Sequence, residues 1–338
     1  MISGRMHIHG ISTSPVHHGG ETAGNTQLVR RQTIADPETG ETKRVPFVSG
    51  RSVKHLIREW GARFALSAMG WEQGFTKAQR DLLISGGTFS SGGSSVDLEA
   101  ARTLEQAFPI LSVCGYAAGN RGAASKLNVD NWHMLCDENR WRIYDRLRRE
   151  VDEETADGNK IAAALEHRAA EYLDEDFGTR HEPKDPNVNK LLEGEERKRL
   201  EAKAAEDLGE THADKGDSIQ MIYEYEQVVP GAQWQGCIHY RELTDMEAAA
   251  LTGALHHACE DTVAGGRKLY RVGGKSSVGL GGVAVRFFGS LREDIRPPEH
   301  IDSDAMVAWG EDDSMMQGYV EHLREHKDEI VEAMEALL

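Results

Sequence analysis

Apolar and polar positions alternate at the start of the chain and again near residue 220, and helical stripes lie between and after them. Residues 2–11 set Ile2, Met6 and Ile8 against His7 and His9, the period-two pattern of a strand. Ser14-Pro-Val-His-His-Gly-Gly20 breaks that strand, and residues 19–45 read as a polar, glycine-containing loop with a turn at Asp36-Pro-Glu-Thr-Gly40. Val53, Leu56, Ile57, Trp60 and Phe64 then recur at helical spacing, which predicts a helix over about 52–66 with Arg51, Lys54 and Arg58 together on another side. A Gly/Ser-rich patch at 85–95 predicts a loop ahead of a helix at about 96–107, and residues 125–129 re-enter a sheet.

Residues 138–216 are charged and lack a sizeable apolar stripe, so they read as a solvated insertion, helical in pieces. Alternation returns at 219–226 and 234–240, separated by the turn Pro230-Gly231. Thr244 with Glu247 three residues on forms a capping box for a helix running to about Val263 and ended by Gly265-Gly266. A glycine-rich loop at 273–282 precedes a closing strand over 283–288, and Met316, Val320, Leu323, Ile330, Met334 and Leu337 form a last helical stripe. This order predicts an α+β fold, a ferredoxin-like βαββαβ sheet with helices on one face.

Composition changes the picture in two places. The net charge of −17 argues against nucleic acid, whose phosphates favour Lys and Arg. However, residues 150–217 carry 21 acidic and 10 basic side chains, and residues 293–338 carry 14 and 3, so the rest of the chain is net positive by 5. An acidic total therefore coexists with a basic face, and RNA is not excluded. No apolar run is long enough for a membrane span, and no apolar export signal follows the first residues. Cys114, Cys136, Cys237 and Cys259 form no C-x-x-C pair, so reduced thiols in the cytoplasm are expected.

Two stretches offer phosphate chemistry. Gly273-Gly-Lys-Ser-Ser-Val-Gly-Leu-Gly-Gly282 lets a backbone approach an anion, with Gly274, Lys275 and Ser276 as contacts, or is an ordinary tight turn. It is no nucleotide-binding phosphate loop, because Leu269 stands where that motif needs glycine. Ser49-Gly-Arg-Ser-Val-Lys-His-Leu-Ile-Arg58 presents a helix start to an anion, with Arg51, Lys54 and Arg58 lining the approach, or is simply a capped helix with a solvated basic face. His322 and His326, four apart, bring too few ligands for a metal site, so no metal and no cofactor is expected. No Gly-x-Ser-x-Gly elbow is present.

Together these stretches resemble the RAMP superfamily of CRISPR proteins, and within it the repeated backbone subunit, most like that of type IV systems. Ser14-Pro-Val-His-His-Gly19 is similar to the family's Ser-Pro-Leu-His-Ile-Gly after the first strand. Val45-Pro-Phe-Val-Ser-Gly-Arg-Ser-Val-Lys-His-Leu-Ile-Arg58 resembles its Pro-x-x-Gly-Ser-Ser-Leu-Lys-Gly-x-x-Arg helix start. Phe108 to Val129, with Gly119-Asn-Arg121 and Ser125-Lys-Leu127, resembles a segment before a mid-chain strand, and 273–281 resembles the glycine loop Gly-Gly-x-x-Ser-x-Gly-x-Gly. The likeness covers about 1–130 and 218–288.

The resemblance implies an RRM-like palm over 1–130 and 218–290, with inserted thumb or helical elements within 67–125. A charged, mainly helical insertion at 138–217 and an acidic tail and helix at 291–338 stand outside it. It implies a cytoplasmic, non-catalytic subunit of an antiviral ribonucleoprotein, with no membrane partner. Copies would pack head-to-tail as a helical filament along guide RNA, beside other effector subunits, and meet target nucleic acid through the guide. Ser52, Lys54, Arg58, Lys275 and Ser276 would be its backbone contacts, with Arg121 and Lys126 as further candidates.

Type III relatives cut RNA with an aspartate upstream of an Asp-Pro-x-Thr-Gly turn, where this chain places Asn25. An amide neither takes a proton nor binds a metal as a carboxylate does. The alternative is a RAMP ribonuclease using Asp36, or His17 and His18 as acid and base. A second departure is His55, where the family's helix motif has glycine.

Overall fold

The computed structural model describes residues 1–72, 74–89, 97–181, 220–263, 267–289 and 314–338. The expected loop residues 90–95, the insertion over 182–217, the stop at Gly265-Gly266 and the tail over 291–313 lie outside these residues.

Strand β1 (Ile2–Ser12) has the alternation expected of it, with Met6 and Ile8 buried towards the helices. The polar stretch after it is not the plain loop expected from its composition. It folds into β2 (Gly19–Ala23), β3 (Thr26–Val29), β4 (Arg31–Ala35) and β5 (Thr42–Val48), whose hairpins bury few side chains and so carry little hydrophobic signal. Helix α1 (Gly50–Ala68) is capped by Ser49, whose side chain accepts from the Ser52 N–H, and it buries Val53, Ile57, Gly61 and Ala65. A short α2 (Lys77–Arg80), β6 (Gly87–Phe89), α3 (Leu98–Ala107) and α4 (Pro109–Cys114) follow, then β7 (Tyr116–Gly119) and β8 (Arg121–Ala123). Strands β9 (Leu127–Val129) and β10 (Trp132–Met134) return to the main sheet.

The start of the charged stretch is not wholly solvated. Helices α5 (Asp145–Asp152) and α6 (Ala156–Ala164) bury Leu147, Ile161 and Ala164 with Leu135, Ile143, Leu165 and Phe288 in a second, smaller core. Arg286 ties that layer to the sheet, its guanidinium 2.6 Å from Glu150 and 3.0 Å from Asp157. Strand β11 (Leu173–His181) then pairs with β12 (Gln220–Val228). After β13 (Gln233–Leu243), α7 (Asp245–His257) starts at the expected Thr244–Glu247 capping box. It stops earlier than about Val263, because Cys259–Val263 forms β14, paired to β15 (Arg267–Arg271). Strand β16 (Gly282–Phe288) closes the sheet, and the final stripe is split at His326 into α8 (Ser314–Glu325) and α9 (Lys327–Leu337). Both helices bury their apolar faces in the main core, with Leu323, Ile330 and Met334 fully enclosed.

The fold is α+β. The main sheet runs β14-β15-β16-β1-β13-β10-β5-β4, with β9 also on β13, and every pairing in it is antiparallel. Helices α1 and α7 pack together on one face. Gly61 permits their close approach, since a Cβ there would lie 2.6 Å from Ile110 Cγ1 and 3.0 Å from Ala254 Cβ. On the other face of β1, Arg5 and His7 lie beside Tyr144 and the start of α5. A second sheet, β11-β12-β3-β2, and a small one, β6-β7-β8, flank this body.

Candidate nucleic-acid interface

The register of the main sheet brings two distant motifs to one end. The end of β1 pairs with the start of β16, Ser12 opposite Val283, so the glycine loop lies against residues 13–18. The contact is a backbone zipper. Gly281 N–H donates to the Pro15 carbonyl at 2.7 Å, Gly274 N–H to the His17 carbonyl at 2.7 Å, and Thr13 N–H to the Gly282 carbonyl at 2.8 Å. Within the loop Gly273, Gly279 and Gly281 take φ of 84°, 88° and 87°, and Lys275 takes 61°. Only glycine adopts such angles freely, so the residue pattern is dictated by the turn.

His18 links this loop to the helix. Its Nε2 accepts from the Ser49 N–H at 3.2 Å, at the cap of α1. That bond requires an unprotonated Nε2. Burial, with the charge of Arg30 adding to it, holds the imidazole down at about 4, so it is neutral near pH 7. The result is a cleft of about 540 Å³ between the glycine loop and the first turns of α1, lined by Arg30, Arg51, Ser52, His55, Arg271 and Ser276. Arg30 and Arg51 are exposed, and neither forms an ion pair among the described residues. Glu59 also reaches the cleft, but Arg63 at 2.6 Å offsets its charge.

The structure thus gathers Arg51, Ser52 and Ser276 around one space, with Gly274 and Lys275 in the adjoining turn. Lys275 lies over the Tyr225 ring, its Nζ 4.2 Å from the centroid. The other expected cations point elsewhere. Lys54 is half-buried and donates to the Leu127 carbonyl at 3.2 Å, and burial pulls its ammonium below the ordinary lysine value. Arg58 donates to the carbonyls of Cys114 and Gly115, both at 2.9 Å. Arg121 pairs with Glu105 at 2.7 Å, and Lys126 with the buried Glu247 at 2.7 Å. So Arg51 parts from Lys54 and Arg58, although helical spacing groups all three. Sequence reasoning passed over Arg30 and Arg271. The one available signal was a basic residue flanking each motif, and only the folded loop shows that both face the cleft.

No family model and no curated protein matches the sequence. Among solved structures, a chain described as "Type IV-B CRISPR Complex" superimposes with a TM-score of 0.50 at 16% identity, covering 92% of this chain and 100% of that one. In fold, this chain is similar to a type IV CRISPR complex chain. The crystal structure of Thermofilum pendens Csc2 aligns with a TM-score of 0.36 at 13% identity, over 98% of this chain and 80% of that one. The CRISPR likeness in fold agrees with the RAMP resemblance read from the four sequence stretches.

Against that CRISPR fold, the candidates for RNA cleavage occupy separate places. His17 is buried, its Nδ1 donating to the Glu226 carbonyl at 2.7 Å and its Nε2 lying 3.1 Å from the Gln27 side-chain amide. Asp36 caps its own turn by accepting from the Glu38 and Thr39 N–H groups, which hold its carboxyl below the usual range. It lines a different cavity, with Arg140 and Trp141. Asn25 sits in the exposed β2–β3 turn. His322 and His326 bond to the carbonyls of Gln106 and His322 respectively. Among the described residues, no helix is long and apolar enough to cross a membrane.

Proposed function

We propose that this chain is a non-catalytic, RNA-binding backbone subunit of a CRISPR effector complex, holding guide RNA in the cleft between the glycine loop and the start of α1. The observation that carries the reading is the cleft itself. It joins two sequence-distant motifs and presents Arg30 and Arg51, without an ion pair among the described residues, beside backbone that glycine keeps open. Phosphate contacts of this kind position a strand without reading its sequence, which suits a subunit that must accept any guide.

The fold supports the same reading. The middle strands run β16-β1-β13-β9, with α1 between β1 and β9 and α7 between β13 and β16. That is the strand order of a ferredoxin-like, RRM-like palm. Copies placed head-to-tail by a heterologous, non-closing interface would extend along the RNA as a filament. Cleavage is left out of the proposal because His17 is held through both ring nitrogens and Asp36 lies in another cavity.

The test is the RNA content of the purified assembly, followed by sequencing of what is bound. RNase-sensitive particles are expected from the wild type and particles depleted of RNA from the Arg30→Glu/Arg51→Glu double variant. Unchanged RNA occupancy in a folded double variant would remove the cleft from the proposal.

A further inference from the structure

On the sheet face opposite α1 and α7, three strands bring together side chains of three different ligand chemistries. Cys237 and His239 are two apart on β13 and so share a face. Asp130 directly follows β9, and its backbone N–H donates to the Cys237 carbonyl at 2.9 Å, which fixes it beside them. The thiol, imidazole and carboxylate donor atoms all lie within 4.8 Å of one another. His239 Nε2 is 3.0 Å from Asp130 Oδ2, a bond that accounts for that pair but not for the thiol.

A fourth group lies on the neighbouring strand. The register of β1 against β13 sets His7 opposite Cys237, and paired residues on antiparallel strands face the same way at about 5 Å. The His7 Nδ1 is buried and has no hydrogen-bond partner among the described residues. A buried polar atom left unpaired is uncommon and calls for an explanation such as an ion. Arg5, opposite His239, is the one cation on β1 near the cluster, and it is exposed, so its long side chain can turn into solvent.

We propose that Asp130, Cys237 and His239 bind one divalent cation of the zinc class, with His7 closing the fourth position. Mixed sulfur, nitrogen and oxygen donors suit Zn²⁺, which takes four ligands without a directional electronic preference, whereas Mg²⁺ and Ca²⁺ take oxygen. The site joins β1, β13 and the β9–β10 connection on the sheet face opposite α1 and α7. Its role is structural: it locks the sheet on the side that α5 covers.

Full-length protein stripped with EDTA and titrated with Co²⁺ tests this. A thiolate-to-cobalt charge-transfer band at one equivalent per chain is expected in the wild type and in Cys259→Ser. The band is lost in Cys237→Ser. Competition against a chromogenic chelator reads Zn²⁺ affinity, at least about tenfold weaker in His239→Gln, a substitution at a partly exposed position that leaves the fold intact even if Cys237→Ser does not fold. No charge-transfer band in the wild type at saturating Co²⁺, a band that survives in folded Cys237→Ser, or unchanged Zn²⁺ affinity in His239→Gln overturns the proposal.

Discussion

A lysine or arginine contributes to RNA binding only if its charge is not already engaged. Arg30 and Arg51 meet that condition in the cleft, whereas Lys126 neutralises Glu247. Burial alone would raise the Glu247 carboxyl, yet bonds from Lys126, Ser112 and the Thr244 N–H hold it below its ordinary value. Lys126→Ala is therefore expected to destabilise the fold by about 2 kcal/mol, read by denaturant unfolding, because it removes a charged hydrogen bond from a buried carboxylate. Its effect on RNA affinity should be small. Arg51→Ala is expected to do the reverse. Stability stays within about 0.5 kcal/mol, while the slope of log K against log salt shrinks by about 0.7, one phosphate contact on a single strand. A loss of stability in Arg51→Ala with the salt slope intact would show that the guanidinium holds the fold and not the ligand.

Elements act here through their ends and crossings. The glycine loop keeps its shape because Gly281 has φ 87° and its missing Cβ would lie 2.2 Å from the Val272 carbonyl oxygen. Gly281→Ala is expected to displace the loop and weaken RNA binding at least about tenfold, since the backbone must move away from its zipper with Pro15. Gly24→Ala is the control. Gly24 also has positive φ but an open neighbourhood, so the change should leave binding unaltered, checked by the same titration. At the α1–α7 crossing, Gly61→Val is expected to destabilise by about 1–3 kcal/mol, the usual penalty of overpacking, measured as a lowered unfolding midpoint. Helix propensity alone would forecast the opposite sign, so the measurement separates crossing geometry from local preference.

Across the whole molecule, burial of neutral histidines sets a pH response. His18, His133 and His256 are each held at about 4 against an ordinary 6.5, in every case chiefly by burial. The unfolded chain takes up these protons as pH falls below 6.5 while the folded chain resists until about 4. The stability tied to their neutrality is thus complete above pH 6.5 and is lost progressively between about 6.5 and 4. Melting temperature should fall through that window, and His133→Gln should flatten the fall. A melting temperature that stays level from pH 7 to 4 would contradict this account. For the cleft the consequence is direct, because a protonated His18 could no longer accept from the Ser49 N–H.

Local chemistry alone was enough for part of this structure. The period of β1, the apolar stripe and Ser49 start of α1, the capping box of α7 and the glycine loop are near-neighbour patterns, and the chain carries them in full. The four strands between β1 and α1 were not legible, since hairpins that bury few of their side chains leave no alternation to read. Nor was the embedding of α5 and α6, whose few apolar residues gain meaning only beside Phe288 and Leu135. At the cleft, sequence named the two motifs and the residue types. Tertiary structure decided which cations face it, because a side chain's direction depends on what lies within its reach: Lys54 and Arg58 find carbonyls to bind, and Arg30 and Arg51 find open space.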